Sequence, residues 1–213
     1  LNSTPTRVND VWYSADGATW TQATAAAQWD GREAHTAVVF DSKMWLIGGI
    51  DFSPLRRNDI WYSVDGVDWT LATSNAQWGE RDSHSSIVFN DGTNKMWVLG
   101  GFTNSGPDND VWYSTDGTTW TQSTADAQWV GRYKFPSVVY DSRMWAIGGQ
   151  DVITTKLNNV WYSTDGAIWT QATTNADWDI RYGLGSVVFD SKMWVIGGHD
   201  GTNPRNDVWY SPG

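Results

Sequence analysis

The sequence predicts an all-β fold built from one four-stranded unit that recurs about four times. The first observation is a motif, Asn-Asp-Val-Trp-Tyr-Ser or a close variant, that recurs every 48 to 51 residues, with its tryptophan at Trp12, Trp61, Trp112, Trp161 and Trp209. The second is an Asp-Gly pair just after four of these five motifs, which is a strong β-hairpin signal. The third is that no segment shows the apolar spacing of an amphipathic helix.

Each unit contains four short stretches that we expect to be strands. In the unit that begins at Arg32, they are residues 35–40, 43–47, 58–63 and 69–73. These stretches are rich in β-branched and aromatic residues, and turn-forming Asp, Ser and Gly separate them. Four strands repeated with this period are typical of a β-propeller, in which each blade buries its faces against its neighbours.

The repeat extends over the whole chain, so we expect a single domain, residues 1–213. The chain has 17 tryptophans, four per unit plus one, and these are the expected filling of the wedge-shaped gaps between blades. About four blades are predicted per chain. Their boundaries are roughly 32–80, 81–131, 132–180, and 181–213 completed by 9–31.

This count leaves one strand too many. The third strand of the unit is present near both ends of the chain, in residues 9–14 and 206–211, and a closed four-bladed ring has room for one copy. Closing the ring with strands from both ends would remove the exposed sheet edges. Three arrangements stay open: the spare copy is displaced, the chain is part of a longer array, or chains exchange ends and form a homo-oligomer.

Composition excludes several classes of function. The chain has 24 acidic and 14 basic residues and a net charge of −10, which disfavours nucleic acid as a partner. It has no cysteine, and therefore no thiolate ligand or cysteine nucleophile, and no apolar run long enough to span a membrane. We expect no cofactor. Acidic charge, the lack of cysteine and richness in Trp, Thr, Asn and Gly are compatible with an extracellular or cell-surface protein.

Two features in register resemble the kelch family. A double glycine closes the second strand of each unit, as Gly48-Gly49, Gly100-Gly101, Gly148-Gly149 and Gly197-Gly198. A tryptophan marks the fourth strand, as Trp20, Trp69, Trp120 and Trp169. The usual tyrosine of the second strand is replaced by Trp45, Trp97, Trp145 and Trp194. The resemblance covers the whole chain and implies a propeller whose ligands dock on one face, at the loops around the central channel.

A second resemblance lies in the hairpin between the third and fourth strands. Residues 14–20, 63–69, 114–120 and 163–169 resemble the Asp-box of sialidases and related propellers, although they are one residue short of that pattern. The repeated aspartates need no catalytic role, because Asp can accept backbone N–H bonds within its own turn and Gly supplies a positive φ. We therefore interpret these aspartates as structural.

Positions where the four units differ are the candidates for recognition, because positions where they agree serve the scaffold. The units differ most after the double glycine and before the first strand. Loops held by a rigid scaffold are common binding sites. The candidate ligand-binding residues in these two places are Ile50, Phe102, Gln150, His199, His35, His84, Tyr133, Lys134 and Tyr182.

One arginine also recurs before the first strand of every unit, and we keep this set among the candidates: Arg32, Arg81, Arg132 and Arg181. Four guanidinium groups near one axis could bind an anion or a carboxylate. The alternative is a repeated ion pair with Asp59, Asp110 and Asp207, plus a cation–π contact with tryptophan. His35 and His84 are too few for a catalytic zinc site, so no metal site is predicted.

The sequence therefore predicts a non-catalytic module that recognises a protein segment or a glycan. The first alternative is a structural repeat protein that assembles with itself. A less favoured alternative is a sialidase-like glycoside hydrolase, for which Tyr133, Tyr182 and the four arginines are the nearest approach to the required cluster. That cluster lacks an acid partner, and copper radical oxidase chemistry is excluded because it needs a cysteine, so we assign no catalytic residue.

Overall fold

A computed structural model describes residues 6–151 and 155–211, which form nineteen β-strands in four sheets. These residues include no helix, and so no helix able to cross a membrane. The predicted all-β class is confirmed.

The chain begins with a two-stranded sheet that we call the N-terminal hairpin. It consists of β1 (Val11–Tyr13) and β2 (Thr21–Thr24), paired antiparallel. A two-residue strand, β3 (Arg32–Glu33), follows and pairs with the second strand of the first blade.

Three complete blades follow, and in each of them four antiparallel strands pair in chain order. Blade 1 consists of β4 (Thr36–Phe40), β5 (Lys43–Asp51), β6 (Arg56–Ser63) and β7 (Thr70–Thr73). The short strand β8 (Arg81–Asp82) bridges blades 1 and 2. Blade 2 consists of β9 (Ser85–Asn90), β10 (Asn94–Thr103), β11 (Gly106–Ser114) and β12 (Thr121–Thr124). Blade 3 consists of β13 (Ser137–Tyr140), β14 (Arg143–Gln150), β15 (Lys156–Ser163) and β16 (Thr170–Thr173).

The chain ends with a three-stranded sheet that we call the C-terminal sheet. Its strands are β17 (Gly185–Phe189), β18 (Lys192–His199) and β19 (Pro204–Tyr210). The four-stranded blades are those expected from the repeat. Within the described residues, no ladder joins the N-terminal hairpin to the C-terminal sheet. The completion of 181–213 by 9–31 therefore stays a prediction.

The turns follow from local sequence. Asp41 and Ser42 connect β4 to β5 with φ values of 48° and 55°, the signs that a two-residue type I′ hairpin turn requires. The double glycine of blade 1 interrupts the register of β5 against β6, and both Gly48 and Gly49 have positive φ. A Cβ at position 49 would lie 2.8 Å from the Cβ of His35, so both conformation and close approach require glycine there.

The aspartate hairpins are stabilised by side-chain hydrogen bonds within their own turns. In blade 1, one Asp65 oxygen accepts the backbone N–H groups of Val67 and Asp68, at 2.8 and 3.1 Å. The Ser63 hydroxyl oxygen accepts the N–H of Gly66 at 2.8 Å. These contacts recur in the other hairpins, and they give the aspartates the structural role that the sequence suggested.

Tryptophans fill the gaps between successive blades. Between blades 1 and 2, Trp78 meets Trp120 edge to face, with ring centroids 6.0 Å apart, and Trp45 is buried beside them. The same edge-to-face pair recurs before and after this gap, as Trp29 with Trp69 and Trp129 with Trp169. Each gap has its own apolar cluster, so the core is a series of seams rather than one centre.

Candidate functional site

The segments that precede the first strands meet around a common hub. Three backbone hydrogen bonds connect them: Ser83 N–H to Ala34 O at 2.9 Å, Lys134 N–H to Ser83 O at 2.9 Å, and Gly183 N–H to Lys134 O at 2.8 Å. All four residues have φ between 53° and 62°. The innermost strands also touch, through Ser85 Oγ and Ser137 Oγ at 2.6 Å. The hub thus holds one such segment from each of the four units.

The two variable sets that the sequence singled out lie side by side in every unit. Strand and bridge pairing brings them together four times, as Glu33 with Ile50, Asp82 with Phe102, Tyr133 with Gln150, and Tyr182 with His199. The residues after the double glycine and those before the first strand therefore occupy the same end of the structure. We call this end the loop face.

A continuous row of rings and cations crosses the loop face, and we call it the aromatic rim. Its members are Arg56, Phe102, Tyr133, Lys134, Tyr182 and His199. The Arg56 guanidinium lies 4.6 Å from the centroid of Phe102, which meets Tyr133 edge to face at 4.9 Å. The Lys134 ammonium lies between the rings of Tyr133 and Tyr182, at 5.8 and 5.4 Å, and Tyr182 lies 5.4 Å from His199.

Five of the six rim residues were predicted from the sequence, and Arg56 was missed. Arg56 donates to Asp82 at 2.7 Å and to Asn104 at 3.3 Å, which holds its guanidinium over Phe102. The signal in the sequence was the Arg56-Arg57 pair, which begins β6 directly after a loop that differs between units. Ile50 and Gln150 lie in the same layer as the rim, but Gln150 is buried.

A shallow cavity of about 430 Å³ lies at the hub next to the rim. Its wall includes the predicted His35, His84 and Lys134, together with Phe135 and Leu184. His84 Nε2 lies 2.7 Å from Thr36 Oγ1. Burial lowers the pKa of His84 to about 3, with a further lowering from the charge of Arg81, and burial also lowers the pKa of His35. Both imidazoles are therefore neutral wall groups at neutral pH.

The repeated arginines are buried in the scaffold. In blade 1, Arg32 makes a bidentate pair with Asp59 at 2.6 and 2.9 Å, donates to Gly48 O at 3.0 Å, and lies 5.9 Å from the Trp29 ring. Arg81 with Asp110 and Arg181 with Asp207 repeat this arrangement. This is the ion-pair alternative from the sequence, and it leaves these guanidinium groups little capacity for an external anion.

Arg132 differs, because its partner in β15 is Asn159 rather than an aspartate. One guanidinium nitrogen donates to the Asn159 oxygen at 2.9 Å, and the Nη2 group is buried with no acceptor. The Trp161 Nε1 group is likewise buried with no acceptor, whereas Trp61 and Trp112 donate to aspartates. Arg132 nevertheless belongs to the scaffold rather than to the rim.

The rim carries one exposed cation, the Lys134 ammonium. Lys134 is exposed and, among the described residues, forms no salt bridge. Arg56 is paired with Asp82. Within residues 6–151 and 155–211, no group of three or more His, Cys, Asp or Glu is placed to hold a metal ion. The loop face therefore offers aromatic surface and positive charge rather than metal ligands.

Comparison with known families agrees with this architecture. The family model described as the KLHDC2/KLHL20/DRC7 Kelch-repeats domain matches residues 2–180, and the Kelch motif model matches residues 180–210. None of the curated proteins that were compared matches the chain. Because the first match covers most of the chain and the second continues it through the C-terminal sheet, the protein belongs to the kelch-repeat family.

Proposed function

We propose that the protein recognises an extended protein segment on the loop face, without catalysis. Kelch-repeat domains generally mediate protein–protein interaction, which supports a binding module. The observation that carries the proposal is the aromatic rim, which runs from Arg56 of blade 1 to His199 of the C-terminal sheet. A row of this kind, presented by several rigid blades, suits a chain laid across it.

The rim favours a segment that combines apolar or aromatic side chains with at least one carboxylate. Aromatic rings supply large contact areas at a small entropic cost. Lys134 supplies a positive charge between Tyr133 and Tyr182, on a protein whose net charge is −10. An acidic segment would thus be attracted to the rim and repelled elsewhere.

Two other functions have weaker support. The same rings could stack on a sugar, so glycan binding is the alternative that a glycan array would reveal. Sialidase-like hydrolysis needs free arginines, but Arg32, Arg81 and Arg181 are engaged with aspartates. The geometry therefore favours binding over hydrolysis.

The test is selection from a displayed library of random peptides on the immobilised protein, followed by affinity measurement with the selected peptides by fluorescence anisotropy. We expect peptides that contain acidic and aromatic residues. Lys134→Ala combined with Tyr182→Ala should weaken their binding at least tenfold, about 1.4 kcal/mol. The backbone tolerates the first change, because Ala34 has the same φ in the first unit, 54° against 53°.

The control is Gln122→Ala on the exposed outer strand β12, which should leave affinity unchanged. Melting temperatures of all variants establish that each is folded. Peptides that bind the Lys134 and Tyr182 double variant as tightly as the parent would place the site elsewhere. Selective binding on a glycan array, with no peptide selected, would favour the lectin alternative.

A further inference from the structure

The C-terminal sheet exposes a face that the corresponding sheets bury. Phe189 and Val208 are 70% and 56% exposed, whereas their counterparts in blade 2, Phe89 and Val111, are 5% and 0% exposed. In blade 2 these side chains pack against blade 3. This face of the C-terminal sheet therefore carries the apolar side chains that, in a complete seam, pack against the next blade.

On the opposite face of this sheet, toward blade 3, an apolar groove of about 330 Å³ lies at the free edge of β19, lined by Trp145, Trp178, Trp209 and Asp177. In the earlier seams, the tryptophan of a fourth strand occupies the equivalent position: Trp120 against Trp78 and Trp169 against Trp129. Trp178 is the next member of this series. No strand in the described part of the chain pairs with the free edge of β19.

Trp20 belongs to the series of fourth-strand tryptophans, but its ring is not buried in a seam. Its counterparts Trp69, Trp120 and Trp169 are 8%, 3% and 2% exposed, whereas Trp20, just before β2, is 58% exposed. In the described part of the chain, three tryptophans of this series are thus buried in a seam, Trp69, Trp120 and Trp169. The groove at Trp178 holds no tryptophan of a fourth strand, and the ring of Trp20 lies in no groove. The edge-to-face pairs in the three seams show how Trp20 would pack against Trp178.

The glycines of the aspartate hairpins give a second match. The Cα atoms of Gly117 and Gly166 lie against the rings of Trp45 and Trp97, so closely that an added Cβ would come within 2.0 and 2.1 Å. Trp145 is the next tryptophan in that series and lines the groove. Gly17, in the hairpin that carries Trp20, has nothing within 4 Å of the position of a Cβ.

The backbone gives a third match. The N–H groups of Trp69, Trp120 and Trp169 donate to the side chains of Gln28, Gln77 and Gln128, at 2.7, 2.6 and 2.5 Å. The fourth counterpart of these glutamines is Asp177, which lines the groove and whose carboxylate oxygens are hydrogen-bond acceptors. An acceptor is thus in place for the N–H of Trp20.

Only one third strand can stand beside β2, and the contacts favour β19 over β1. Asp207 in β19 holds Arg181 through two hydrogen bonds, whereas Asp10, just before β1, accepts from Trp12. Asn9 donates to the carbonyl groups of residues 27 and 29. Asn206 of β19 has the same position in the repeat and is exposed, so it can take over those two bonds.

We propose that β19 of one molecule pairs with β2 of a second copy, displacing β1, so that Trp20 of that copy fills the groove at Trp178. The N-terminal hairpin packs on blade 1, through Ala27, Trp29 and Leu46, while the C-terminal sheet packs on blade 3. Displacing β1 removes Val11 from the first of these seams, and Val208 of β19, which has the same position in the repeat, takes its place. Blade 1 of the second copy covers the exposed face of the C-terminal sheet, in a head-to-tail contact.

The absence of cysteine allows a direct test by disulfide trapping. Tyr62 faces Thr70 across β6 and β7, so Tyr210 should face Thr21 across the new strand pair. Thr21→Cys and Tyr210→Cys are prepared as separate proteins and mixed under mild oxidation. We expect a species of two chains that requires both variants, because facing Cα atoms in an antiparallel pair lie within disulfide range. A Thr21→Cys and Gln122→Cys mixture is the control and should not cross-link.

Light scattering supplies the second arm. The parent chain should exceed its monomer mass of 23.8 kDa as concentration rises. Trp20→Ala should restore the monomer mass, and Trp12→Ala, in the displaced strand, should not. A disulfide within single chains of a Thr21→Cys/Tyr210→Cys protein at high dilution would overturn the proposal, because the molecule's own hairpin would then fill the groove. A monomer at every concentration, with no cross-link, would overturn it as well.

Discussion

The repeated arginine network has one defective member, and the defect comes from a single residue. In blades 1 and 2, one aspartate oxygen accepts from tryptophan Nε1 and from the arginine together. Asn159 provides one acceptor oxygen and no charge, so Arg132 and Trp161 each keep a buried N–H group without an acceptor. Burial lowers the pKa of Arg132 to about 9, and Asp151 partly offsets this effect. The guanidinium is still charged at neutral pH.

Asn159→Asp should therefore stabilise the protein. A carboxylate at this position would accept from both stranded groups and neutralise the buried charge. We expect a gain in the free energy of unfolding of about 1–3 kcal/mol, measured by urea denaturation at neutral pH. The reverse change in blade 2, Asp110→Asn, should cost about 3–5 kcal/mol because it breaks a buried pair. A loss of stability in Asn159→Asp would contradict this account of the network.

His84 should make the protein sensitive to mild acid. Its pKa is 6.5 when unfolded and about 3 in the fold, so the unfolded state binds more protons between these values and stability falls as pH falls below 6.5. The slope from this one group is at most about 1.4 kcal/mol per pH unit. His84→Phe, which copies Phe135 of the next unit, should reduce the slope of unfolding free energy between pH 7 and about pH 5, above the carboxylate range. Equal slopes in the parent and the variant would refute the assignment.

At the scale of strands and turns, the features that depend on residues close together in the sequence could be predicted. The turn at Asp41 and Ser42, the double glycines and the aspartate hairpins are local, and their residues specify φ or supply hydrogen bonds within a few positions. The strands β3 and β8 were not anticipated. They have two residues each and form because the segment before a first strand pairs with the end of the second strand of the same blade, far from it in the sequence.

For the candidate site too, the sequence predicted individual residues but not the contacts between distant segments. Variation between the units identified Phe102, Tyr133, Lys134, Tyr182 and His199, although it could not show that they form one row, because the row crosses from one unit to the next. The same criterion did not identify Arg56, whose place over Phe102 depends on Asp82 in β8 and on Asn104 in the turn between β10 and β11. Contacts between units are long-range, and a repeat period alone does not specify them.

At the scale of the whole molecule, stability resides in the seams. Each blade has two faces, and the apolar clusters join consecutive sheets rather than lying within one sheet. The stability of such an array is approximately the sum of its units and their nearest-neighbour interfaces. Residues at equivalent positions of the repeat should therefore differ in their contribution to the free energy of unfolding. The contribution is large where a sheet lies on each side of the seam and small where one side is exposed.

Trp120 and Trp20 test this difference, because they have the same place in the repeat and differ in burial. Trp120→Ala removes one ring of the pair with Trp78 and should lower the free energy of unfolding by about 3–5 kcal/mol. Trp20→Ala should change it by less than about 0.5 kcal/mol, since its ring is exposed in the single chain. Both are measured by urea denaturation at dilutions where light scattering gives the monomer mass. Equal losses would mean that Trp20 is buried within a monomer, and the ring would then be closed by the chain's own hairpin.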